Sequence, residues 1–216
     1  MSIKIKIPTS LKDITLRQYK KYLKLEDSLK DELLLNAKMI EIFCDVPIDK
    51  VMLLKFNDSS EISSIISKIF EEKPSLVTRF ELNGIDYGFQ PQLDELTLGE
   101  YIDLDTYIGD WDNMEKAMNV LYRPVIVKLK DKYNIDEYVL GNDEILLDMP
   151  MSAVLSSIFF LWNLGLDLSK LMTSYLQEGE TEVLTKYLAS QPNGGGINHF
   201  ILSLTEMLDD LKISLN

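Results

Sequence analysis

Met151-Ser152-Ala153-Val154-Leu155-Ser156-Ser157-Ile158-Phe159-Phe160-Leu161-Trp162-Asn163-Leu164-Gly165 decides the fold. The run follows Pro150, meets Asp167, and is apolar nearly all round, with Ser152, Ser156, Ser157 and Asn163 as its only polar interruptions. A helix without a polar stripe needs neighbours on most sides, so this stretch predicts a central buried helix at the core of the second half of the chain. Bounded in this way it falls short of the roughly 20 residues that span a bilayer. No membrane partner is therefore expected.

Working outward, the 216 residues are 46% hydrophobic, 9% aromatic and 26% charged, an ordinary globular composition with length enough for a real core. The 35 acidic residues outnumber the 22 basic ones and leave a net charge of −13, a poor match to nucleic acid or to anionic membrane surfaces. A single cysteine, Cys44, allows no internal disulfide, and a single histidine, His199, allows no histidine pair. Cys/His zinc sites and Cys-His or Ser-His catalysis therefore have almost no support, and no cofactor or metal is expected. Cys44 ends the stripe Leu29, Leu33, Ala37, Ile40 and reads as core, and His199 reads as a surface residue at a helix start.

Met1-Ser2-Ile3-Lys4-Ile5-Lys6-Ile7 alternates apolar residues with lysine and reads as a strand, not as a secretory signal. Between Val77 and Phe89 two short runs flank Asn83-Gly84, the pair that best tolerates the positive φ angles of a type I′ turn. The predicted hairpin sets Leu82 opposite Ile85, Phe80 opposite Tyr87 and Thr78 opposite Phe89, with Arg79, Glu81 and Asp86 on the other face. Ile3 to Ile7 is the expected third strand. Ile62, Ile65, Ile66, Ile69, Phe70 and, separately, Met114, Ala117, Met118, Leu121, Tyr122 have the spacing of one helix face. The second of these helices runs from Trp111 to Leu121 and ends at Arg123-Pro124, because proline lacks the amide and restricts its neighbour.

Leu11-Lys12-Asp13-Ile14-Thr15-Leu16-Arg17-Gln18-Tyr19 resembles Leu93-Asp94-Glu95-Leu96-Thr97-Leu98-Gly99-Glu100-Tyr101, 82 positions further on. In each, a threonine hydroxyl can accept from the amide three residues on. Gln18 or Glu100 at that position can reach back to the cap amide, making two capping boxes. Ile14 with Tyr19, and Leu96 with Tyr101, stand where a hydrophobic staple forms. Either the common grammar of helix starts, or a true duplication or reused docking element, accounts for the likeness.

Charge is segregated. Residues 1–38 carry nine Lys/Arg and five Asp/Glu, whereas between Arg79 and Lys116 stand ten acidic residues and no basic one, from Glu81 to Glu115. Asp94, Glu95, Asp103, Asp105, Asp110 and Asp112 in this belt form either a solvated face or a docking surface for a basic partner. Contact between the basic head of one copy and the belt of another would give a homo-oligomer. The aspartates do not have the spacing of an EF-hand loop. A helix tail and a turn capped by Asp112 ahead of Glu115 explain several of them. Arg123, a lone cation beside the belt, is expected to form an internal ion pair with one of its carboxylates. Gln191-Pro192-Asn193-Gly194-Gly195-Gly196 reads as a hinge without the Lys-Ser/Thr of a phosphate loop. Beyond it Ile197, Phe200, Ile201, Leu204, Leu208 and Leu211 stripe an amphipathic helix that packs either on its own domain or on a partner.

The expected fold is α+β, predominantly α-helical, with a small antiparallel sheet made of the N-terminal strand and the 77–89 hairpin. Its parts are an α+β half over 1–125 containing the two capped-helix units, a helical half over 126–192 around the 151–165 helix, and a hinge with a C-terminal helix over 193–216. The two halves pack intimately or form a single compact unit.

Several segments carry a resemblance: Ile7-Pro8-Thr9-Ser10-Leu11-Lys12-Asp13-Ile14-Thr15-Leu16, Phe70-Glu71-Glu72-Lys73-Pro74, Gly88-Phe89-Gln90-Pro91, Gly99-Glu100-Tyr101-Ile102-Asp103-Leu104-Asp105, Asp110-Trp111, Lys116-Ala117-Met118, Leu121-Tyr122-Arg123-Pro124, Asp148-Met149-Pro150-Met151 and Phe159-Phe160-Leu161-Trp162-Asn163-Leu164-Gly165. Together, over residues 3–170, they resemble a poorly characterised family of proteins encoded by tailed bacteriophages. The resemblance implies a virion or virion-assembly role without catalysis, made in the bacterial host cytoplasm. Within it, one expectation is an acidic tail-assembly chaperone-like factor that binds another phage structural protein, such as a tail protein. A second is a stoichiometric virion component of the connector, tail or capsid interior, and a distant third is a carboxylate-based hydrolase.

Removing either cap, by Thr15→Ala or Thr97→Ala, is expected to cost about 1 kcal/mol in a urea unfolding curve and to leave the chain folded.

Overall fold

The computed structural model describes residues 4–177 apart from Asp131 and Asn142, and only the backbone at 169 and 171–177. Among these residues the order is α1 (Leu16–Ser28), α2 (Glu32–Phe43), α3 (Ile48–Val51), α4 (Phe56–Phe70), β1 (Arg79–Leu82), β2 (Ile85–Phe89), α5 (Leu98–Tyr107), α6 (Met114–Leu121), β3 (Tyr122–Leu129), β4 (Lys132–Ile135) and α7 (Met151–Gln177). The fold is α+β and predominantly helical, with one four-stranded antiparallel sheet in the order β1-β2-β3-β4. The hinge, the C-terminal arm and His199 lie outside the described residues.

The decisive stretch opens α7, and Met151 to Phe159 are all buried. Two of its three serines have partners supplied by the chain, whereas the buried Ser152 hydroxyl has none among the described residues. Ser156 and Ser157 donate to the carbonyls of Ala153 (3.1 Å) and Val154 (2.8 Å), and Ser156 Oγ accepts from the Val77 amide (3.0 Å). The helix does not stop near Gly165 but runs to Gln177, so the length argument against spanning a bilayer does not hold. The Met151–Leu168 window is long and apolar enough by length and composition to cross one, and 61% of it is buried inside the protein.

The first amide of a helix has no partner within its own helix. Here α1 and α7 solve this for each other. Leu16 N–H donates to Met149 O (3.0 Å) and Met151 N–H to Ile14 O (2.8 Å), with Thr15 and Pro150 paired as an isolated antiparallel bridge. The two chain segments are thereby locked across most of the sequence, and Ile14, Leu16, Met149 and Met151 are fully buried around the lock.

The hairpin forms in the expected register, with Leu82 opposite Ile85 and Phe80 opposite Tyr87, and the Thr78 carbonyl accepts from the Phe89 amide at 2.9 Å. Its turn places Asn83 at φ 52° and Gly84 at φ 79°, the double positive φ that asparagine and glycine tolerate. The third strand is not the N-terminal one. Residues 4–9 carry no strand pairing, and Ile5 and Ile7 pack half-buried against the core. The free edge of β2 is taken by β3, because the chain leaves α6 at Tyr122 in extended conformation directly beside Phe89. Position 125/126, where the sequence divides the halves, lies inside β3. Buried residues from both sides form one apolar cluster.

Tyr122 joins helix, sheet and α7. Its ring meets Phe80 and Phe89 edge-on at 5.2 and 5.3 Å, and its hydroxyl donates toward Val77 O (2.7 Å) with Ala153 O also in range (3.2 Å). Burial raises its pKa, so it remains a donor. On the other face the Tyr133 ring lies over Gly88, its hydroxyl donating to Phe89 O at 2.7 Å.

A Cβ at Gly88 would lie 2.4 Å from Tyr133 Cε2, so Gly88→Ala is expected to expel that ring and cost about 1–3 kcal/mol in urea unfolding. Cys44 is buried, and desolvation pushes its thiol up to about 11. It should stay unreactive to Ellman's reagent at pH 8 until the protein unfolds in denaturant.

Candidate functional site

The two helix starts form as capping boxes. Thr15 Oγ1 accepts from the Gln18 amide (3.2 Å) while Gln18 Oε1 accepts from the Thr15 amide (2.9 Å). Thr97 Oγ1 and Glu100 repeat the arrangement at 3.3 and 2.8 Å. In each box the spare atom of the third residue makes a tertiary contact. Gln18 Nε2 donates to Ile42 O at the end of α2 (2.9 Å), and Glu100 Oε1 pairs with Arg123 at 2.9 Å, both side chains nearly sealed from solvent. This is the ion pair expected of Arg123. Its Nε finds no acceptor among the described residues. The staples diverge: Ile14 and Tyr19 are buried, whereas Leu96 is half-buried and Tyr101 is exposed.

The acidic belt is not a uniform surface. Asp86 lies between Arg79 (3.5 Å) and Lys128 (3.8 Å). Asp103 accepts from the Tyr138 hydroxyl (2.8 Å), whose pKa is raised by burial and then by that carboxylate. Asp110, and not Asp112, is the capping residue of the turn before α6. It accepts from the Asp112 amide (2.8 Å) and from Asn113 Nδ2 (2.6 Å), because it stands one residue before the turn begins at Trp111. Asp112 pairs with Lys24 at 2.9 Å and is held below its ordinary carboxylate value by that hydrogen bond and charge. Glu115 pairs with Lys20 in a half-buried contact. The attraction between basic head and acidic belt is thus satisfied, at these two pairs, within one chain.

Asp94, Glu95 and Asp105 remain exposed and, among the described residues, have no cation within ion-pair distance. They flank an apolar face whose residues are not among the partner-binding residues expected from the sequence. On α5 Leu98 is 76% exposed, Tyr101 51% and Ile102 52%, at i, i+3 and i+4, with Asp105 completing the stripe at i+7. The opposite side of α5 buries Glu100 and Leu104. The spacing of Leu98, Tyr101 and Ile102 was readable in the sequence. Which side of α5 faces the core was not, because that depends on where Arg123 arrives.

Of the expected partner-binding residues, Asp94, Glu95 and Asp105 gather at this face, Asp103 and Asp110 serve the fold, and Asp112 is tied to α1. Phe200, Leu204, Leu208 and Leu211 lie outside the described residues. Among the described residues no three His, Cys, Asp or Glu side chains converge as a metal site. No family model, no curated protein and no solved structure matches the chain.

Glu100→Gln keeps an acceptor for the cap but leaves Arg123 as an uncompensated buried charge, and Arg123→Met leaves Glu100 in the same position. Each is expected to cost about 3–5 kcal/mol, and the double substitution markedly less than the sum, in a urea double-mutant cycle.

Proposed function

We propose that this chain is a non-enzymatic bacteriophage morphogenesis protein, an acidic tail-assembly chaperone-like factor that holds another phage structural protein in the host cytoplasm before assembly. The observation that carries the binding part is the outward face of α5: three large apolar side chains in helical register, with three neighbouring carboxylates that have no ion pair among the described residues. A soluble protein gains nothing in stability from exposing such a stripe, and its acidic frame fits a basic amphipathic segment of a partner. The net charge of −13 would keep the complex soluble while the apolar contact remains reversible. The phage setting rests on the resemblance carried by the segments from Ile7 to Gly165.

Mass spectrometry of purified virions and of the lysate in which they assemble separates the chaperone from a virion component. The protein is expected in the lysate and absent from virions, and stoichiometric abundance in virions would overturn the chaperone reading. Binding to a co-expressed tail protein of the same phage is expected to weaken at least about ten-fold on Leu98→Ser/Ile102→Ser, and to weaken with Asp94→Lys/Glu95→Lys/Asp105→Lys or added salt. Unchanged affinity in these variants would remove α5 from the interface.

A further inference from the structure

A cavity of about 440 Å³ opens between α1, α2 and α4, on elements separate from the α5 face. Its walls are aromatic. Tyr19 and Phe70 lie 5.3 Å apart, Phe70 and Phe43 5.5 Å, and Phe43 and Tyr22 5.3 Å, so the rings form one continuous array reaching from buried Tyr19 and Phe43 to half-buried Tyr22 and Phe70. Its rim is acidic. Glu26 from α1, Glu32 from α2 and Glu71 just beyond α4 are exposed around the opening, and none of the lining residues is basic.

We infer that this cavity receives the ammonium or guanidinium group of a lysine or arginine side chain presented by a partner protein. Ring faces carry partial negative charge and attract a cation within about 6 Å of their centroids, more strongly where water is partly excluded. Three carboxylates from three different elements add a field of the same sign at the entrance, which repels an anionic ligand and draws in a cationic one. None of the described basic residues lines the cavity. Lys24 is held by Asp112 at 2.9 Å, Lys38 by Glu41 at 2.7 Å, and Lys20 by Glu115. A long aliphatic stem ending in a charge fits such a site, because the stem lies along the rings while the head group stays near the rim. The inference does not depend on the α5 surface and stands or falls separately from it.

The test titrates the full chain with acetyl-Gly-Arg-Gly-amide, acetyl-Gly-Lys-Gly-amide and the uncharged acetyl-Gly-norleucine-Gly-amide while following the ring resonances of Tyr22 and Phe70 by NMR. Saturable shifts at both rings are expected with the arginine and lysine peptides and not with the norleucine peptide. Glu32→Gln/Glu71→Gln, which changes only exposed side chains, and Tyr22→Leu should each weaken the response at least about five-fold, whereas Tyr22→Phe should retain it. Equal shifts with the norleucine peptide would overturn the inference. So would non-saturating shifts spread over the acidic surface, or wild-type affinity in both Glu32→Gln/Glu71→Gln and Tyr22→Leu.

Discussion

Two hydrogen bonds, from Leu16 to Met149 and from Met151 to Ile14, fix the geometry on which the remaining structure depends. A buried helix start is costly when its first amides point at nothing. α7 is buried from its first residue, and Pro150 before it has no amide to contribute. The carbonyl two residues before each helix, of Ile14 or of Met149, therefore accepts the first amide of the other helix. Once this lock closes, α1 must lie across the start of α7, and the apolar side chains of both segments share one core.

The second constraint is polar satisfaction along α7. Val77, which leads into β1, has its amide bonded to Ser156 and its carbonyl to Tyr122. The sheet is thus tied to the central helix through groups that would be orphaned if the two moved apart. Tyr122 also ends α6 and begins β3, so one residue sets the positions of a helix, a strand and the interior face of the hairpin. Glu100 acts in the same way at the periphery: one carboxylate oxygen starts α5 and the other holds Arg123.

Electrostatics then sorts the surface. Lys20 and Lys24 on α1 meet Glu115 and Asp112, so much of the apparent polarity of the sequence is consumed internally. The exposed Lys24–Asp112 pair adds little to stability. Exposed carboxylates remain around α5 and at the mouth of the aromatic cavity, each group beside apolar or aromatic surface.

The local devices were legible in the sequence because each is set by a few adjacent residues. The capping boxes at Thr15 and Thr97, the Asn83-Gly84 turn with its register, the buried start of α7 and the helix stop at Tyr122-Arg123-Pro124 all follow from backbone geometry and side-chain type within a short window. The alternation of Ile3 to Ile7 points to a third strand, whereas the edge of β2 is in fact taken by β3, because α6 delivers Tyr122 to Phe89. The two similar helix starts show the division most clearly. Thr15 and Thr97 are followed by the same local grammar, yet Tyr19 is buried against Phe70 and Trp111 while Tyr101 faces outward beside Leu98 and Ile102. Sequence determined that both helices begin where they do. Only tertiary packing, through Ile42 meeting Gln18 and Arg123 meeting Glu100, decided which face of each helix was covered and which was left exposed.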